Sequence, residues 1–296
     1  ALVASSVGAG VVCLAPAGMG RTYRLYASRP GPERNRFVAR ADIGADLPSG
    51  AAHVIAPVAP LLTRVDISGP LEQRAGYHDP CSGWSDGHDA IAERLCAAFA
   101  SGDVLLVVDS PGGAAAGLQQ AAARALKAKL HHGRRVTVFA DEMIGSAAMW
   151  WTSVLGDELF LPEAGQVGSI GVIYRRLDRS AAIQKDGVNV KYVHSGKFKS
   201  EGQPDTPITE SEIADLQAKS DVYYEKFVAD VAKGRKQSVS HVMASYGNGR
   251  MFLAEQAKGL GMVDRVASFE TIMTELQQRS SRGRMAKAAS VSMAMS

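Results

Sequence analysis

Cysteine is scarce in this chain: Cys13, Cys81 and Cys96 are the three among 296 residues. The count is odd and no two are spaced as a pair. That argues against a disulfide framework and a zinc site, and it suits a reducing cytoplasm. An excess of one charge is missing too. The 33 basic residues face 30 acidic ones, a net +3. The balance does not single out nucleic acid as a partner, and none is expected. There is no internal repeat. His131-His132 is the pair that most resembles a metal site, but it sits in a basic loop without further ligands, so neither metal nor cofactor is expected. A long lipid-spanning run is also lacking. Residues 1–19 are uncharged and apolar, yet they consist of Ala, Gly, Val and Ser around Pro16, with no basic region ahead of them. They read as an arm rather than an anchor, and membrane attachment is not expected.

What the chain does have is material for a core. Its hydrophobic fraction is 46%, ordinary for a globular protein. Residues 29–49, rich in Pro, Gly and Arg, read as a linker. The expected organisation is an arm and linker over 1–50, a globular domain over 51–270 and a tail over 271–296. This tail is expected to be disordered, and from Gln277 it is rich in Ser, Arg, Ala and Met. Strand-like runs fall at 52–58, 62–67, 104–109 and 135–140. The run 104–109 is apolar throughout, as in a strand buried on both faces. Residues 76–87 read as a loop. Helices are expected over 89–100, 114–130 and 209–233. The last has a capping box in Thr209 and Glu212, a staple in Ile208 and Ile213, and an apolar stripe through Leu216, Tyr223, Phe227 and Val231. Strands that alternate with helices imply an α/β fold with a parallel sheet and crossover helices.

Three segments suggest chemistry. Ser146 follows the strand-like run 135–140, in Gly145-Ser146-Ala147-Ala148. Lys199 follows the strand-like Asn189-Val190-Lys191-Tyr192-Val193, in Ser195-Gly196-Lys197-Phe198-Lys199. Ser110-Pro111-Gly112-Gly113 ends the strand 104–109 in a turn where backbone amides can approach a ligand because no Cβ intervenes. A serine at a helix start is ordinarily a cap, and a lysine is ordinarily a solvated charge. Brought together in a dry pocket, the pair can instead act as nucleophile and base, with burial favouring the neutral lysine. Lys197 and Lys199 alternate along an extended segment, so only one of them would face the site. Trp150 and Trp151 would pack in the core or line a groove, and Asp109 would shape the turn.

Taken in order, these segments resemble the signal peptide peptidase family of serine–lysine proteases, which share the Clp protease/crotonase fold. The resemblance spans about residues 54–266. It includes Val167-Gly168-Ser169-Ile170-Gly171-Val172, Gly249-Arg250-Met251-Phe252 and Ala257-Lys258-Gly259-Leu260. Ala181 to Gly196 and Arg282 to Lys287 resemble the head-maturation branch found in tailed phages and prophages. The resemblance implies Ser146 as nucleophile, Lys199 as general base, the Gly113 and Ala147 amides as oxyanion hole, and Ser169 as the hydroxyl that orients the lysine. It implies a homo-oligomer acting on protein or peptide substrates, capsid and scaffold proteins among them. Where many relatives carry two glycines after the nucleophile, this chain has Ala147-Ala148. Small substrate side chains are therefore expected beside the scissile bond, and Ala286, Ala288 and Ala289 of the tail become candidate self-processing positions.

Other readings are open. A Clp-type Ser-His-Asp mechanism wants a histidine soon after the nucleophile, but none occurs between Ser146 and His194. A crotonase-type acyl-CoA enzyme would share the fold and oxyanion hole without needing the serine–lysine pair. A membrane-associated signal peptide peptidase would share the chemistry, and an inert shell component would share only the fold.

Overall fold

The computed structural model describes residues 37–38, 61–79 and 83–280. The expected arm, the strand at 52–58 and the alanine-rich end of the tail lie outside the described residues. The chain begins with β1 (Phe37–Val38), β2 (Leu61–Glu72), β3 (Gly76–Asp79), β4 (Gly83–Gly87) and α1 (His88–Ser101). It continues through β5 (Gly102–Gly113), α2 (Leu118–His131), β6 (Val136–Gly145) and α3 (Ala147–Leu155). Then follow β7 (Glu158–Leu161), β8 (Gln166–Gly168), α4 (Ser180–Lys185) and α5 (Glu210–Gly234). The last elements are α6 (Val239–Ser245), β9 (Met251–Leu253), α7 (Ala254–Gly259) and β10 (Arg265–Val266).

The main sheet runs β10-β7-β6-β5-β2-β4-β3. Every neighbouring pair from β10 to β4 is parallel. β3 pairs antiparallel with β4, and β1 with β2. β8 extends the edge of β6 in parallel and takes β9 antiparallel on its other side. Strands alternating with helices thus produce the α/β architecture expected from the sequence. β5 shows why the apolar run was diagnostic. Val104, Leu106 and Val108 enter the large core beneath α1, α2 and α3. Leu105 and Val107 point the other way, into a second cluster with Phe139, Phe160 and Ile272. A strand side-chain period of two with apolar residues on both faces requires cover on both faces.

That requirement corrects two expectations. The tail was expected to be disordered from 271 onward, yet residues 269–280 are helical and Ile272 is 1% exposed. Its apolar positions, among them Phe269 and Met273, cover the second face of the sheet. The expected loop at 76–87 contains the β3–β4 hairpin. Gly87 sits where a tight backbone approach needs it: a Cβ there would lie 2.2 Å from the Ala75 nitrogen.

Helix limits also move. α2 begins at Leu118, not at 114, because Gly117 is left-handed with φ 81°. Residues 114–116 are therefore free to border the pocket described below. Thr209 caps α5 as expected, its hydroxyl accepting from the Glu212 amide at 3.1 Å. The apolar burial of α5 is confined to its C-terminal half, through Phe227, Val228 and Val231; in the first turn Glu212 is buried, but Ile213 is 47% exposed.

Candidate active site

The ends of β5, β6 and β8 meet at the carboxyl edge of the sheet, where ligands of open parallel sheets bind. Ile144 pairs with Ser110, and Gly145 with Gly168. These registers bring the Gly112-Gly113 turn, Ser146 and Ser169 side by side. The approach is so close that a Cβ on Gly112 would lie 2.6 Å from the Ser146 Cβ and 2.7 Å from the Ala147 nitrogen. A Cβ on Gly145 would meet the Pro111 carbonyl oxygen at 2.7 Å. Gly112 also needs its positive φ of 94°.

Ser146 occupies the N-cap position of α3 without capping it. Its φ is 46° and ψ −117°, and its side chain accepts no capping hydrogen bond. A non-glycine residue with positive φ is strained, and such strain collects at functional sites. The Ser146 amide is held by the Gly168 carbonyl at 2.9 Å, which leaves Oγ to the pocket. Ala147 is the first residue of α3, so its N–H has no carbonyl within the helix to bond.

Gly113 is pinned from the opposite side. A Cβ there would lie 2.0 Å from the Leu71 oxygen. Before it, the Gly112 amide donates to Ser110 Oγ at 3.1 Å, and that hydroxyl donates to the Gly69 carbonyl at 2.7 Å. Ser169 also has positive φ, 54°, and its amide donates to Arg250 O at 2.8 Å. Gly113, Ser146, Ala147 and Ser169 all line one pocket of about 680 Å³. Its inner wall is Trp150 stacked on Phe227, ring centroids 4.8 Å apart, with the indole N–H donating to Asp230 at 2.7 Å. Tyr223, Tyr224 and Asp221 of α5 form the outer wall.

Two expectations meet a different geometry here. Ala148 was expected to crowd the space beside the nucleophile, but it is 0% exposed and belongs to the core. Ala147 alone of the pair borders a roomy pocket, so the size argument for small substrate side chains lapses. Lys199 does not line the pocket of its own chain; it is exposed, and its amide donates to Gly196 O in a turn. Residues 189–194 form no strand, and 197–202 are turn, so the expected alternation of Lys197 and Lys199 does not arise. A strand needs a hydrogen-bonding neighbour, and this segment has none within the described residues. Lys197 instead lies over the Phe198 ring, 4.9 Å from its centroid. The tryptophans divide between the two expected roles: Trp150 lines the pocket and Trp151 is core. His131 and His132 are exposed. Among the described residues, no cluster of His, Cys, Asp or Glu could hold a metal ion.

One residue of the site's support escaped sequence reasoning. His88, the first residue of α1, is fully buried and hydrogen-bonded to both Ala114 O and Trp151 Nε1. Its partners lie 26 and 63 positions away, so no local pattern betrays them.

Comparison with known proteins accords with this geometry. The chain is 31% identical over 175 residues to a Methanocaldococcus jannaschii protein named "Putative protease MJ0651", covering 59% of this chain and 55% of that one. It is 27% identical over 231 residues to Capsid assembly protease C of Escherichia phage lambda, covering 75% of this chain and 51% of the phage protein. It is 30% identical over 175 residues to an Enterococcus faecium protein named "Putative signal peptide peptidase SppA", covering 59% and 50% respectively. The chain thus spans about half the length of these curated relatives. Residues 128–282, more than half of the chain, match Peptidase family S49, and the chain belongs to that family.

Proposed function

We propose that the protein is a serine endopeptidase in which Ser146 is the nucleophile and Lys199, supplied by a neighbouring copy of the chain, is the general base. The observation that carries the nucleophile is the strained, uncapping Ser146 in the pocket that Gly113 and Ala147 also line. What supports a base from a neighbour is the exposure of Lys199 outside the pocket of its own chain. A lysine acts as a base only when neutral, and burial favours that form. An assembly that buries the 172–208 segment against a second copy would provide such a surrounding.

The chemistry follows from these positions. Ser146 Oγ attacks the substrate carbonyl carbon while its proton passes to the lysine Nζ. The carbonyl oxygen becomes an oxyanion that accepts hydrogen bonds from the Gly113 and Ala147 amides. Collapse breaks the C–N bond, and the lysine returns its proton to the departing amine. Water, deprotonated by the same lysine, then hydrolyses the ester and restores Ser146. Ser169, on the pocket wall, orients the lysine.

For substrates, the reading is proteins of an assembling phage head, cleaved in the host cytoplasm. It is supported by the lambda capsid assembly protease, whose match covers 75% of this chain. The match to the signal peptide peptidase favours a second reading, turnover of cleaved signal peptides. Among the described residues, no helix is long and apolar enough to cross a membrane.

The test is cleavage of scaffold and capsid proteins, and separately of signal peptides, by purified protein. Ser146→Ala and Lys199→Arg should each lower turnover by about 10⁴-fold or more, because arginine cannot give up its proton. Lys197→Arg should keep most activity. Cleavage by Ser146→Ala at the wild-type rate would sink the mechanism, and the reverse pattern of the two lysine variants would move the base to Lys197. Cleavage of signal peptides alone would replace the phage reading.

A further inference from the structure

The buried imidazole of His88 plays no part in the proton transfers above, yet it joins the two segments that supply the oxyanion amides. Trp151 Nε1 donates to His88 Nδ1 at 3.0 Å, and His88 Nε2 lies 2.7 Å from the Ala114 carbonyl oxygen. An indole nitrogen can only donate. Nδ1 is therefore the bare nitrogen, and Nε2 carries the hydrogen and donates to Ala114 O. Both partners together fix one neutral tautomer. Burial pushes the imidazole below the usual histidine range, against the opposing pull of the Ala114 carbonyl bond and of Asp86, Glu72 and Asp89.

Ala114 directly follows Gly113. Its N–H donates to the Leu71 carbonyl at 2.7 Å, and its C=O accepts from His88. The peptide groups on both sides of Ala114 are thus held, the first by β2 and the second by α1. The other partner, Trp151, is 0% exposed and sits on α3, one turn beyond Ala147. A side chain that filled space alone would need neither bond.

We propose that His88 is a positioning residue that sets the spacing of the two oxyanion amides, Gly113 through Ala114 and Ala147 through Trp151. The proposal rests on the serine peptidase reading above. Its effect should fall on the transition state, where the oxyanion forms, and not on ground-state binding.

The experiment compares His88→Leu, His88→Gln and Trp151→Phe with wild type, using kcat, KM and inhibition by a peptide aldehyde made from a cleaved sequence. The aldehyde adds reversibly to Ser146. The new Oγ–C bond gives a hemiacetal whose oxygen occupies the oxyanion position, with the serine proton passed to the base. Removing one oxyanion donor outright costs about 10²–10³-fold in kcat. Displacing two amides slightly should cost less, roughly tenfold. His88→Leu should lower kcat and aldehyde affinity by the same factor while KM moves little. His88→Gln, whose amide offers both an acceptor and a donor, should recover most of the loss. Trp151→Phe should show the same joint loss on a smaller scale.

Wild-type kcat in folded His88→Leu would overturn the proposal, as would equal losses in the leucine and glutamine variants. So would lost turnover with undiminished aldehyde affinity. If His88→Leu fails to fold, Trp151→Phe decides alone: unchanged kcat and aldehyde affinity there overturn it. Ser146→Ala, run alongside, separates the cases. Full activity in that variant would defeat the peptidase mechanism itself, whereas an inactive Ser146→Ala beside a fully active His88→Leu would defeat only the role of His88.

Discussion

At Ser146 the backbone gives up ordinary comfort to aim one oxygen. A serine in the N-cap position ordinarily accepts a hydrogen bond from the helix it precedes, worth about 1 kcal/mol. Ser146 forgoes that bond and adopts φ 46°, a conformation that costs on the order of 1–3 kcal/mol. Gly112 makes the arrangement possible. Gly112→Ala would place a methyl group 2.6 Å from the Gly145 oxygen and from the Ser146 Cβ. Neither is the yielding end of a long side chain, so Ser146 itself must shift. Turnover should fall by about 100-fold, given that a displacement of around 1 Å costs that much. The variant should melt lower as well, since φ 94° is unfavourable for alanine. Kinetics on the folded variant check this; unchanged kcat would show that the turn does not set the serine. That Ser146, Gly113, Ala147 and Ser169 would gather around one pocket was legible because strand, glycine turn and helix follow one another in the chain. His88 was not, because its role exists only once α1, β5 and α3 are packed together.

Among the elements, α3 is the part on which the site turns, and both its ends and its flank are fixed. At its C-terminus Lys129 Nζ donates to the Leu155 carbonyl at 2.8 Å and pairs with Asp157 at 2.7 Å. A buried lysine at a helix C-terminus satisfies an orphan carbonyl and complements the dipole. Its flank meets α5 at Gly234, where a Cβ would lie 1.8 Å from the Ser153 carbonyl oxygen. Gly234→Ala must push the helices apart and should cost about 2–3 kcal/mol, the upper end for overpacking. Denaturant unfolding would read this as a lower midpoint at unchanged slope; a midpoint equal to wild type would mean that α5 slides freely on α3. Of the sheet, β2, β5 and β6 were readable, because apolar runs such as 104–108 have only one way to be covered; the short strands β7 to β10 carry too few residues to show a pattern. The β3–β4 hairpin was not, since its glycines and polar residues read as a loop until β2 gives them an edge. The strand expected at 189–193 failed for the complementary reason: β-branched residues favour a pleated surface but do not supply the neighbour that a strand requires.

On the scale of the whole molecule, the segment 172–208 is an arm rooted on the body, with no buried residue and most of its residues exposed. Arg176 holds its root, pairing with Glu212 while its Nη2 donates to the Gln203 carbonyl at 2.6 Å. Ile173, at the pocket's edge before that root, is 93% exposed; beyond the root Val193 is 100% exposed and Phe198 54%. An apolar surface of this kind, beside a lysine with no place in its own pocket, fits burial against another copy. If so, the two halves of the dyad come from different chains, and inactive variants should complement each other. A Ser146→Ala chain still offers Lys199, and a Lys199→Arg chain still offers Ser146. Mixed one to one and allowed to exchange, random assembly should rebuild about a quarter of the sites, since each needs a particular variant on both sides of an interface. Activity near that fraction, rising with protein concentration, is the expected result. A mixture as inactive as its components, with exchange shown by tagged subunits, would mean that the arm folds back and Lys199 serves the serine of its own chain.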